Sequence, residues 1–212
     1  MCTNFTPTKR APWVAETLGV ELPAGYPDES YPGFAAPLVV KSHRSNRVAC
    51  GLAKFGLIPA WARDDKIARH TYNARSETAT DKPSYRHAWR HRQFGLVLVD
   101  HFYEPSYESG KAMRWKIELV SEQPFGIACL WDRWTDPASG ECVVSFSMLT
   151  VNADDHPVMR QFHKPGDEKR TPVIIAPALH DAWLSAEPAE ASALMTWSHM
   201  PELRAMPAPP RS

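Results

Sequence analysis

Cysteine is scarce in this chain, with four in 212 residues. Cys2, Cys50, Cys129 and Cys142 offer no pair at metal-ligand spacing, so no structural zinc site and no bound metal are expected. An excess of charge of one sign is also missing. Lys plus Arg number 24 and Asp plus Glu number 24, for a formal net charge of zero. Bulk charge therefore does not announce a nucleic-acid partner, which would need a local basic stripe. No apolar run approaches the length of a membrane span, and no membrane association is expected. Residues 1–20 contain Lys9, Arg10 and Glu16 and no apolar stretch, so no secretory leader is expected. There is no glycine-rich phosphate loop and no nucleophile elbow of the serine-hydrolase kind, and no cofactor is expected. These absences describe a cytoplasmic protein in a reducing setting.

What remains is an ordinary globular composition, 43% apolar, with an unusual load of 20 prolines. So many prolines favour turns and argue against a helical bundle. A short helix is expected over 8–18, with Thr8 as N-cap and Gly19 as the stop. Proline, glycine and aromatic residues over 22–37 read as loop. β-Branched and aromatic residues favour strands over 38–41, 47–57, 93–99, 114–119, 125–131 and 142–151. Helices are expected over 84–92, 155–161, 177–185 and 188–195. Cys50, Cys129 and Cys142 fall in the strand-like runs and are expected to pack as small apolar residues. The sum is one β-rich α+β domain over residues 1–195, followed by a loose Pro-rich tail over 196–212.

Four places carry polar residues that a core strand or tight turn does not need. The first is Cys2, next to the initiator Met. If Met1 is removed, the chain begins with an α-amine and a thiol on adjacent carbons. With reference pKa values near 8 and about 8.5, both are partly nucleophilic at neutral pH. Together they can condense with an aldehyde to a five-membered thiazolidine. The same residue can equally be a plain member of a frayed terminus.

The second place is the run from Tyr72 to Thr78. On an extended chain Asn73, Arg75 and Glu77 share one face. That face is either a site or a solvated strand surface with an Arg–Glu pair. The third is Asp100–Glu104, directly after an apolar strand. Glu104 is either a partly buried general acid or base or an exposed turn carboxylate. The fourth is 162–175, in which His163 opens a Gly/Pro loop that carries Lys164, Lys169 and Arg170. His163 is a candidate proton donor, and the cations are candidate phosphate contacts. A mobile charged loop fits the same composition. Basic and aromatic residues also interleave over 41–47 and 86–92, the latter with Arg86 and Arg90. Trp61, Trp89 and Trp134 are candidate stacking platforms, although tryptophan is more often core.

In this order and spacing the pieces resemble the SRAP family of abasic-site-sensing proteins. The resemblance rests on Met1-Cys2, Phe55-Gly-Leu-Ile-Pro-Ala-Trp61, Asn73-Ala-Arg-Ser-Glu-Thr78, Phe102-Tyr-Glu104, His163 and Arg170-Thr-Pro-Val-Ile174. It covers residues 1 to about 185. It implies a barrel-like domain of mixed sheets with peripheral helices and a positive channel for single-stranded DNA. It further implies removal of Met1 and attack of Cys2 on the ring-opened sugar of an abasic site, giving a thiazolidine crosslink that shields the lesion. By position, Asn73 would hold the Cys2 α-amine, Glu104 would shuttle protons, and His163 would open the sugar or assist reversal. Arg75 and Glu77 would shape the DNA cleft, with Trp61, Lys164, Arg170, Arg86 and Arg90 as further DNA contacts. A monomer acting on abasic single-stranded DNA is expected, nucleoid-associated if the host is a bacterium.

The chain departs from the family pattern. Thr3-Asn4 replaces the usual Gly-Arg, Phe55 and Pro105 stand where tryptophan is usual, Thr171 precedes the proline, and the histidine loop is longer. A peptidase with an N-terminal nucleophile and a noncovalent single-strand-binding module remain alternatives.

Overall fold

A computed structural model describes residues 2–209. Met1 and the last three residues of the expected tail lie outside the described residues. In chain order the elements are β1 (Phe5–Pro7), α1 (Ala11–Leu18), β2 (Ala35–Lys41), β3 (Val48–Phe55), β4 (Asn73–Arg75), α2 (Ser76–Ala79), α3 (Arg86–Arg90), β5 (Phe94–Ser106), β6 (Met113–Leu119), β7 (Phe125–Thr135), β8 (Cys142–Asn152), β9 (Arg170–Pro172), β10 (Ile174–Ile175), α4 (His180–Ser185), α5 (Pro188–Leu194) and β11 (Leu203–Pro207). The α+β expectation holds, with strands dominant. No helix among the described residues is long and apolar enough to cross a membrane.

Five strands close on themselves. Pairing runs β7-β8-β3-β2-β5, and β5 pairs back to β7. Only β3–β8 in this ring is parallel, with Phe55 opposite Phe146; its other pairings are antiparallel. Closure removes the exposed edges that make open sheets prone to mispairing. β5 and β7 are apolar on both faces over their central runs because one face lines the barrel and the other is covered by α4 and its neighbours. The interior holds Leu38, Val97, Ile127, Cys129, Phe146 and Met148, all at most 2% exposed. The outer cluster includes Leu96, Leu98, Leu130 and Trp183.

Local signals explain several element ends. α1 begins with Pro12 in its first turn and stops at Gly19, whose φ is 66°. Its N-cap is Arg10 rather than Thr8, whose hydroxyl bonds Asp100 and accepts from the Arg10 amide. α5 has Pro188 at its start and a capping box between Glu187 and Glu190. Gly56 turns the chain out of β3 at φ 114°, where a Cβ would lie 2.4 Å from the Ala68 carbonyl oxygen, so only glycine fits.

Three expectations are corrected. Residues 203–207 form β11, paired with β6 from Leu203–Leu119 to Pro207–Trp115, because β6 offers a ladder partner and Leu203 packs into the core. The expected loose tail is thus partly sheet. β5 does not stop at Val99 but continues to Ser106, since β1 and β6 supply ladder partners for its polar end. Of the three cysteines expected in the core only Cys129 is fully buried; Cys50 is half-buried, and Cys142 is exposed at the start of β8.

Candidate active site around Cys2

The N-terminal residues are threaded into the barrel rather than frayed. β1 pairs with the polar end of β5, Phe5 opposite Phe102, and the Tyr103 amide donates to the Asn4 carbonyl at 2.9 Å. Phe5 packs edge-on to Phe55, which stacks on Phe146 at 5.2 Å between centroids. This aromatic wedge is an apolar anchor that draws the preceding residues inward, and Cys2 is fully buried. Its thiol donates to the Asn4 carbonyl at 3.6 Å. Burial, reinforced by the negative charge of nearby Glu104, pushes the thiol far above its ordinary titration range. The sulfur is therefore a protonated, shielded thiol.

Asn73 reaches this point from β4, which lies alongside β8 with Asn73 opposite Met148. Its amide nitrogen donates to the Cys2 carbonyl at 2.7 Å. Cys2 follows Met1, so its nitrogen is a peptide amide in this chain, and the Asn73 contact is to the carbonyl. The Asn73 Oδ1 is buried with no hydrogen-bond partner among the described residues, so an acceptor points into the site.

Glu104 is 2% exposed and belongs to a strand, not to an exposed turn. Its Oε2 lies 3.3 Å from His163 Nε2. His163 is held from several sides. Phe162 bridges to Ser106, the His163 amide donates to the Pro105 carbonyl at 3.1 Å, and Lys169 Nζ reaches the His163 carbonyl. Its φ of 65° is uncommon for a residue with a side chain, and the anchors on both sides fix it. The histidine therefore sits on an anchored backbone rather than in a freely mobile loop.

Residues that the sequence reading passed over complete one wall. Arg114 lies on β6 with its guanidinium 3.4 Å above the Tyr103 ring, a stacked cation–π contact. It donates to Asn4 Oδ1 at 2.7 Å and to both oxygens of Glu29 at 2.9 Å. Burial works to raise the Glu29 carboxyl, but bonds from Tyr31 and Arg114 outweigh it and the net shift is downward. A cavity of about 360 Å³ opens beside Glu104, with Thr3, Asn4, Tyr103, Met113 and Arg114 in its walls. Glu29 and Arg114 belong to no short motif, Tyr103 lies within the Phe102–Glu104 run, and only the pairing of β6 with β5 brings Arg114 to Tyr103.

The expected DNA contacts divide. Trp61 is 56% exposed, with its indole nitrogen donating to the Pro83 carbonyl. Trp89 and Trp134 are each 4% exposed and are core residues, one packed on Phe94 and the other bonded to the Ala62 carbonyl. Neither is a stacking platform. Arg86 and Arg90 lie on the exposed side of α3, whose other side buries Ala88 and Trp89. Lys164 is exposed.

Arg170 is only 2% exposed. Its guanidinium is committed to Glu77 at 2.8 Å, to Glu168, and to the hydroxyl and carbonyl of Thr150 at 3.1 and 2.7 Å. Arg75 closes on Glu168 at 2.7 Å. Arg170 is thus a buried organiser of a four-residue ion chain, not a solvent-facing phosphate contact. Glu77 does not share an extended face with Asn73 and Arg75, because the chain turns into α2 at Ser76; Arg170 draws it back. Among the described residues no three His, Cys, Asp or Glu side chains converge as metal ligands.

A near-terminal cysteine buried inside a small closed barrel, with an amide on its carbonyl and a carboxylate beside its thiol, marks a class of single-domain, strand-rich proteins with a buried cysteine near the first residue. The chain belongs to the SOS response associated peptidase (SRAP) family, whose model matches residues 1–211. It is similar to the abasic site processing protein YoqW of Bacillus subtilis (strain 168), 29% identical over 191 residues, covering 87% of this chain and 80% of that one. It is also similar to the abasic site processing protein HMCES of Xenopus tropicalis, 29% identical over 129 residues, with 51% of this chain and 38% of that one covered. A crystal structure of a protein from Bordetella bronchiseptica superposes with a TM-score of 0.87 at 30% identity, covering 98% of this chain and all of the other.

Proposed function

We propose that this protein processes abasic sites in single-stranded DNA through a covalent crosslink at Cys2, exposed as the N-terminus when Met1 is hydrolysed off. The observation that carries the reading is the convergence of Cys2, Asn73, Glu104 and His163 at one mouth of the barrel. The names of the similar proteins support the abasic-site part of this reading.

The chemistry runs in three steps. Hydrolysis of the Met1–Cys2 peptide bond consumes one water and frees the α-amine beside the thiol. The ring-opened sugar of an abasic site presents an aldehyde; the amine adds to its carbon, and loss of water leaves an imine. The thiol sulfur then adds to the imine carbon while its proton passes to nitrogen, closing the thiazolidine. Each step moves a proton, and the Glu104–His163 pair is built to move one across 3.3 Å. The thiol delivers its proton only within the site, since burial keeps it protonated beforehand. The vacant Asn73 Oδ1 is positioned as an acceptor for the new α-amine. The cavity beside Glu104 takes the nucleotide next to the lesion, with Arg114 as the cation near position 4. The protein works as a monomer without cofactor.

The test is incubation of the purified full chain with a single-stranded oligonucleotide carrying one abasic site, followed by a denaturing gel and intact mass. The expected species has the mass of the chain lacking Met1 plus the oligonucleotide less one water, and it is absent with undamaged DNA or with Cys2→Ala. A mature Cys2 terminus that yields no adduct would turn the reading to peptidase activity or simple binding.

A further inference from the structure

The two basic segments at 41–47 and 86–92 are far apart in sequence and take no part in the Cys2 site. The fold brings them together at the other end of the barrel. β5 carries Glu104 near one end and Phe94 at the other, ten residues apart, roughly 33 Å of extended strand at about 3.3 Å per residue. At the Phe94 end the β2–β3 turn closes with the Ser42 amide on the Arg47 carbonyl at 2.9 Å, which fixes the turn that displays Arg44 and Arg47. His43 locks this turn to the segment before β5. Its Nε2 donates to the Arg92 carbonyl at 2.9 Å while Arg92 donates to its Nδ1 at 3.0 Å.

The result is a groove of about 480 Å³ in which Lys41, Arg44, Arg47, Arg92 and Arg133 meet Trp131. No carboxylate lines it. Lys41 and Arg92 are neutralised from outside by Asp181 and Glu187. Arg44, Arg47 and Arg133 have no ion-pair partner among the described residues. In a chain of zero net charge this is a concentrated field of one sign. The groove continues, through Val40, Ala49, Trp131 and Arg133, into an apolar pocket of about 180 Å³ walled by Leu38, Leu52 and Val144. Leu52 is 39% exposed there.

An apolar slot with an indole wall opens directly onto guanidinium groups without carboxylate partners, Arg133 lying 5.9 Å over the Trp131 ring, and this matches one ligand chemistry, an unpaired base on a phosphodiester backbone. Stacking on an aromatic surface and phosphate contacts to arginine are the two elements of sequence-independent single-strand binding. A duplex keeps its bases stacked and has none to place in the slot.

We propose that this far mouth of the barrel is a second binding site, for undamaged single-stranded DNA, in which Arg44, Arg47 and Arg133 contact phosphates and Trp131 contacts a base. The site needs no Cys2 chemistry, so it stands or falls separately from the crosslinking reading.

The test is fluorescence anisotropy of the full chain with a labelled, undamaged oligothymidylate across a salt series. Arg44→Ala/Arg47→Ala/Arg133→Ala is compared with a charge-matched control, Lys9→Ala/Arg10→Ala/Lys66→Ala, built from exposed cations elsewhere. Each phosphate contact to a single strand contributes about 0.7 to the salt slope. The groove variant is expected to flatten the slope by about 2 and to bind at least tenfold more weakly at low salt, with the control unchanged. Equal binding by the groove variant and the wild type would overturn the site, and so would equal losses in groove variant and control, which would mean diffuse charge alone. Competition by a duplex as strong as by a single strand would overturn the base contact.

Discussion

Arg170→Met separates a buried organiser from a DNA contact. Methionine keeps the aliphatic stem and removes the guanidinium. Removing one partner of a buried ion pair costs about 3–5 kcal/mol when the other partner stays buried. Here the carboxylates can turn to water, since the Glu77 and Glu168 side chains are 48% and 32% exposed, which discounts that figure. The Thr150 carbonyl loses its 2.7 Å donor inside the protein, a loss worth about 1–3 kcal/mol. A net destabilisation of about 3 kcal/mol follows, or a fall in melting temperature of about 6–12 °C for a domain of this size.

The pH dependence has a definite sign. Burial acts to raise the Glu77 carboxyl, but the hydrogen bond from Arg170, the backbone amide and the Arg170 charge outweigh it, so its folded value is depressed. A depressed carboxylate contributes stability that is fully present above its unfolded pKa, about 4.3, and is lost as pH falls through the folded value. The deficit of Arg170→Met should therefore be largest near neutrality and shrink below about pH 4. The assay is thermal and denaturant unfolding of both proteins between pH 3 and 7. A variant as stable as the wild type, but with a flatter salt dependence of DNA binding, would refute the buried-organiser reasoning and restore Arg170 as a phosphate contact.

Cys2→Ala should abolish the DNA adduct and, because Cys2 is fully buried, cost about 1 kcal/mol in unfolding experiments; an adduct that persists would remove Cys2 as the nucleophile. Glu104→Gln should slow crosslinking by about 100-fold or more and at the same time make the Cys2 thiol more acidic, since the Glu104 charge raises it. Thiol-reagent labelling against pH reads the second effect, and neither effect appearing would make Glu104 a structural residue. Gly56→Ala places a Cβ against the Ala68 carbonyl at a positive φ and should destabilise by about 2 kcal/mol or more, measured by chemical denaturation; a neutral result would mean that this turn relaxes.

The catalytic candidates were legible because reactive chemistry is written in residue identity. A cysteine next to the initiator Met, Asn73, Glu104 and His163 can be named from the chain in order. Strand content was legible for the same reason, since β-branched and aromatic runs mark half-buried pleats wherever they pair. The limits of elements were less so. β5 runs past Val99 because β1 and β6 offer ladder partners, which no local pattern announces. Residues 203–207 are a strand because β6 lies alongside them.

The sequence by itself determined the polar inventory, the strand-rich class and the absence of net charge. Tertiary structure alone decided the environment of each group. It buried the Cys2 thiol and raised its pKa, turned Asn73 to the Cys2 carbonyl, and set His163 against Glu104. It sent Trp89 and Trp134 to the core, took Arg170 out of solvent, and gathered Arg44, Arg47 and Arg133 at one mouth. The physical reason is that burial and partnership are properties of strand pairing across long sequence separations, and barrel closure joins β5 to β7 and β3 to β8 where no local signal points.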